Sequence, residues 1–135
     1  MRKIVRSIET IARKALARII EEQRSNGIEI AGVGIVGSKD RDLARIGNSH
    51  IRAHAAEGIL FRRVLDQAAE SHGLKWRTFP DRELDQIAQV ELGRASALVK
   101  QKLNDLRRTV APPWRVDEKQ AATAAWLVLH GQSQL

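Results

Sequence analysis

Residues 27–60 read GIEIAGVGIVGSKDRDLARIGNSHIRAHAAEGIL, and the order of parts in this stretch decides the fold. Ile28 to Gly37 is β-branched, glycine-containing and nearly free of charge, which predicts a strand covered on both faces, as in a parallel sheet. Ser38 to Asn48 is polar and predicts a loop. Asn48 or Ser49 predicts a helix start, because either side chain can accept hydrogen bonds from the first free amides. That helix is expected to reach about Ser71, with Ile51, Ala55, Ile59 and Val64 on its apolar face. Gly58 lies inside it, where glycine costs about 1 kcal/mol against alanine; a close contact with the preceding strand would explain the choice. A buried strand that hands a polar loop to a helix start is where α/β proteins usually place their chemistry.

Working outward, residues 3–25 predict an amphipathic helix, with Ile4, Ile8, Ile11, Ala15 and Ile19 spaced by threes and fours and Asn26-Gly27 as the stop. Residues 74–79, LKWRTF, predict a second short strand. Pro80-Asp81 predicts a helix start capped by Asp81 and ending at Gly93, and Ser96 a further one. The run VAPPW at 110–114 reads as an extended connector, since proline restricts itself and its predecessor. Asp117 opens the last, alanine-rich helix, with Gln120 placed to complete a capping box. Two strands make a poor sheet, so either further strands or a homodimer through an edge strand is expected to complete it.

At 135 residues the chain is one α/β domain with enough sequence for a single core. A hydrophobic share of 43% and a charged share of 29% are those of a globular protein and not of a disordered tail. No apolar run approaches about 18 residues, which excludes a transmembrane span, and no apolar region follows the basic N-terminus as in a secretory signal. Cysteine is absent, which removes disulfides, thiol catalysis and cysteine zinc sites and fits a cytoplasmic protein. The net charge of +7, with arginine outnumbering lysine, favours nucleic acid as a partner through bidentate phosphate contacts and counterion release. Aromatic residues are few, which speaks against base stacking on an aromatic sheet face.

Three groups of residues could carry chemistry. Gly32-Val33-Gly34-Ile35-Val36-Gly37 matches G-x-G-x-x-G, and a small-molecule phosphate or nucleotide site using this strand and the helix start at Ser49 is the second reading. The dinucleotide form needs a helix start at its end, however, and Ser38 to Asp42 offers none. The second group is Ser38, Lys39, Arg41, Arg45, Asn48, His50, Arg52, His54 and Glu57, a cationic loop feeding a helix N-terminus, where anions are favoured. His50 and His54 have the spacing of metal ligands, yet with no cysteine and no evident third ligand the sequence assigns no zinc site, and it calls for no cofactor. The third group is Asp117 at the head of the last helix, a carboxylate that either caps the helix or holds a metal.

From about residue 10 to 131 the order of elements resembles the later two-thirds of the RNase H-like fold, in the branch of the RuvC-type Holliday-junction resolvases and their YqgF-like relatives. The pieces that carry the resemblance are Ile28–Gly37, Ile51–Gly73 with its Ala55-Ala56-Glu57-Gly58, Leu74–Phe79, Pro80-Asp81-Arg82-Glu83-Leu84, and Asp117 through Ala125. The resemblance implies an incomplete RNase H-like fold, with a small sheet packed by several helices and a nucleic-acid surface. Such nucleases use several carboxylates to hold two metal ions. Here only Asp117 matches an acidic position, and it is the one residue the resemblance marks as catalytic. Gln120 stands where the resolvases usually carry a second acid, and Gly34 to Gly37 stand where a strand would end in one. The family's first hairpin, with its acid, has no counterpart, so the chain reads as an N-terminally truncated relative. One carboxylate cannot build a two-metal centre, and nucleic-acid binding without intact nuclease activity is expected.

Overall fold

A computed structural model describes residues 2–37 and 41–133. Helix α1 spans Arg2–Ser25, strand β1 Gly32–Gly37, helix α2 Ser49–Ser71 and strand β2 Lys75–Pro80. Helices α3 (Leu84–Leu92), α4 (Ser96–Asp105) and α5 (Val116–Ser133) follow, with short 3-10 turns at Leu43–Arg45, Gly93–Ala95 and Leu106–Arg108. The chain is therefore α/β with a small parallel sheet, as the coarse reading expects. Among the described residues the sheet has two strands, and no helix is long and apolar enough to cross a membrane.

The two strands pair in parallel from Gly32 opposite Lys75 to Gly37 opposite Pro80, with α2 as the crossover. A parallel pair cannot be joined by a tight turn, so a crossover of this kind is required. The strand at residues 28–37 is shorter than its sequence suggests. Ile28 is 53% exposed and Ala31 is exposed, and pairing begins only at Gly32, where β2 lies alongside.

The faces of the sheet follow from the period of two. Thr78, opposite Ile35, donates its hydroxyl to Asp66 Oδ1 of α2 at 3.0 Å, which marks the α2 side. Gly32 and Gly34 face the other way, against α5. A Cβ built on Gly34 would stand 2.9 Å from Ala124 Cβ, and one on Gly32 would stand 2.8 Å from a Val128 methyl carbon. The glycines thus make room for α5 and not for α2, contrary to the expectation drawn from Gly58. A Cβ on Gly58 would meet nothing within 4 Å among the described residues, so no strand contact accounts for this glycine.

Phe79, Leu84, Ala88, Leu92, Val99, Leu103, Ala124, Leu127 and Val128 form the buried core. It lies between the glycine face of the sheet and α3, α4 and α5. Helix α5 runs antiparallel to the strands. Near its C-terminus the Gln132 amide donates to the Ala31 carbonyl at 2.9 Å, before β1, while Gln120 donates to the Asp81 carbonyl at 3.3 Å, beyond β2. Helix α1 packs on α2, with a His72 ring nitrogen 3.0 Å from the Arg13 carbonyl oxygen. It buries no residue fully; Ile4 and Ile11 are 64% and 66% exposed.

Two helix starts differ from the sequence reading. Asp81 does not cap α3: its carboxylate accepts the Arg82 N–H at 2.8 Å inside a turn, and the helix begins at Leu84. At α5 the capping arm comes from Glu118, whose Oε2 accepts the Arg115 N–H at 2.9 Å. The expected Asp117–Gln120 capping box is displaced by two residues, which frees Gln120 for the Asp81 carbonyl.

Candidate nucleic-acid interface

The candidate surface lies at the carboxyl end of the sheet, where ligands of open α/β sheets commonly bind. The Gly37 carbonyl accepts the Asp81 N–H at 3.0 Å and ties the two strand ends together. From here β1 leads toward the cationic loop, and α5 brings its N-terminus to the same end. Of the expected residues, Ser38 and Lys39 lie outside the described ones.

The loop is built by local hydrogen bonds. Asp42 Oδ1 accepts the Ala44 N–H at 3.1 Å and starts a 3-10 turn. Ile46 is 8% exposed and anchors the loop to the body. Arg52 turns back to donate from Nε to the Ile46 carbonyl at 3.0 Å and from Nη2 to the Gly47 carbonyl at 3.4 Å. Asn48 Oδ1 accepts the N–H groups of His50 and Ile51 at 2.9 and 3.1 Å. The first amides of α2 are thereby occupied, so the helix start offers an anion less than its sequence suggests.

The expected residues divide into three kinds. Arg41 and Arg45 are exposed and line one shallow hollow with Ile46 and Ile51. Arg45 makes a 3.6 Å ion pair with Asp42, but its side chain is 88% exposed, and such a surface pair is weak. Asn48 and Arg52 hold the loop. His50, His54 and Glu57 form a separate ridge along α2, with His54 Nε2 3.3 Å from His50 Nε2 and Glu57 Oε2 3.8 Å from His54 Nδ1. Asp117 is exposed in the first turn of α5, one turn before Gln120. Among the described residues no three His, Asp or Glu side chains converge on one point.

The sequence does not announce two further features. Arg77 on β2 donates from Nη1 to Glu91 Oε1 of α3 at 2.6 Å and from Nη2 to the other carboxylate oxygen, and its guanidinium lies 4.5 Å from the centre of the Phe79 ring. The hydrogen bonds from Arg77 hold the Glu91 carboxyl below the usual carboxylate range and raise Arg77 in turn. The second is a cleft of about 230 Å³ between α3, α4 and α5, floored by Leu92, Val99 and Leu103 with Lys100 and Lys119 at its rim. It falls short of the roughly 300 Å³ at which small-molecule sites begin. Neither could be read from spacing, because each joins elements distant in sequence.

The glycine strand offers no phosphate cradle on its α5 face, because Ala124, Val128 and Gln132 fill the space before Gly32 and Gly34. Compared with known proteins, the chain matches no family model, no curated protein and no solved structure.

Proposed function

We propose that the chain is a nucleic-acid-binding domain of RNase H-like, RuvC-type architecture without an intact two-metal nuclease centre. The observation that carries this reading is the exposed pair Arg41 and Arg45, on the loop between β1 and α2, in a chain of net charge +7. Among the described residues, neither guanidinium is held by the fold apart from the weak Arg45–Asp42 surface pair, which favours contact with phosphate oxygens. The order β1, α2, β2, α3, α4, α5 agrees with the order of elements on which the resemblance rests. Asp117 remains the one acid matching the family pattern. Gly34 and Gly37 on β1 and Gln120 on α5 supply no second carboxylate.

Titration of labelled duplex, branched and single-stranded nucleic acid at low salt tests the reading. The wild-type chain is expected to bind with an affinity that falls steeply with salt. R41A/R45A should bind more weakly and lose about two from the slope of log affinity against log salt, about one per phosphate contact. Absence of wild-type binding to all three forms at low salt would overturn the proposal.

A further inference from the structure

We infer that His50 and His54 form a chelate for a tetrahedral divalent cation of the Zn²⁺ class on the exposed ridge of α2, with Glu57 as the carboxylate that orients His54. The inference does not rest on nucleic-acid binding. Its first support is a distance. Two imidazole nitrogens each about 2.0–2.1 Å from a tetrahedral Zn²⁺ stand about 3.3–3.4 Å apart. The Nε2 atoms of His50 and His54 are 3.3 Å apart, with the rings perpendicular at 89°. Square-planar ligation would bring them to about 2.9 Å, so the pair as it stands suits a d¹⁰ ion better than Cu²⁺.

The second support lies behind His54. A metal-bound histidine usually directs its other ring nitrogen to a carboxylate, which fixes the tautomer and strengthens the donor. His54 turns Nε2 toward His50, and Glu57 Oε2 lies 3.8 Å from Nδ1, a small side-chain rotation short of a hydrogen bond. Spacings of four and three residues place all three on one face of α2, and the side chains of His54 and Glu57 are 67% and 65% exposed. Water supplies the remaining coordination positions. Without metal, one Nε2–H donates to the other Nε2, and the ion takes the place of that hydrogen.

The test is calorimetric titration of the full chain, freed of metal by a chelator, with Zn²⁺ at neutral pH. One ion per chain is expected, with a rise in melting temperature as metal exceeds Kd. H50Q and H54Q should each weaken binding at least tenfold, E57Q about threefold, and H72Q not at all. All four positions are exposed, so the variants should fold, which far-ultraviolet circular dichroism would verify. No binding by the wild-type chain, or binding that survives H50Q and H54Q, would overturn the inference.

Discussion

A Cβ on Gly34 would stand 2.7 Å from the carbonyl carbon of Ala124 and 2.8 Å from its oxygen, so strand β1 and helix α5 meet backbone against backbone with no room for a methyl group. Backbone atoms cannot swing aside as a flexible side chain can. Gly34→Ala is therefore expected to destabilise the fold by at least about 2 kcal/mol through overpacking. Urea unfolding would measure it. A midpoint equal to wild type would show that β1 and α5 do not meet at this position.

Gly58 gives the opposite expectation. It sits inside α2 with open space where its Cβ would be, among the described residues, and its backbone is helical. Gly58→Ala should stabilise the chain by about 0.5–1 kcal/mol, by favouring the helix and restricting the unfolded chain. A rise in melting temperature checks this; a fall would point to a close neighbour of Gly58.

The Arg77–Glu91 pair predicts a pH dependence. Arg77 holds the folded-state pKa of Glu91 below its unfolded value. The pair thus stabilises the fold above the usual carboxylate range, and the contribution is lost as pH falls through the lowered pKa of Glu91. With side chains 43% and 29% exposed, solvent screening keeps the effect to about 1 kcal/mol or less. Stability measured from pH 6 down to about 3 should therefore fall more in wild type than in E91Q.

Arg52 and Arg41 should separate in their effects. Arg52 is engaged with the Ile46 and Gly47 carbonyls, so Arg52→Ala should cost about 0.5–1.5 kcal/mol of stability by loosening the loop. Arg41→Ala should leave stability within about 0.5 kcal/mol and instead lower the salt slope of nucleic-acid binding by about one. Thermal melts and binding isotherms on the two variants distinguish holding from contacting.

Among the described residues, a sheet of two strands leaves backbone donors and acceptors open at its edges. Self-association through an edge is expected, and light scattering should return twice the 15.1 kDa chain mass at micromolar concentration.

The elements of this fold were largely legible because hydrophobic period and terminators are local properties. Ile51 to Val64 announced α2, and LKWRTF announced β2 to within a residue. What was not legible is which surface each element meets. The isoleucines of α1 share a stripe, yet a stripe reveals direction and not the presence of a partner, and Ile4 and Ile11 stay exposed. The glycines of β1 point to a close neighbour, but for Gly32 and Gly34 that neighbour is α5, at Val128 and Ala124 far along the chain, while only Gly37 faces the Gly58 helix, at ordinary contact distance from Arg62. In the candidate interface, residue types identify a cationic loop, while only the structure divides Arg52 and Asn48, which hold it, from the exposed Arg41 and Arg45.

The seating of α5 on the glycine strand also sets an order of events during synthesis. Gly34 acquires its neighbour only after Ala124 has left the ribosome, some ninety residues later. Until then the β1–α2–β2 unit has an uncovered apolar face, with Phe79 and Val36 in water. Closing so long a loop is slow, and the exposed face is open to wrong pairings in the meantime. A nascent chain halted before α5 should be readily cleaved by protease, and protection should begin only once the segment through Gln132 has emerged.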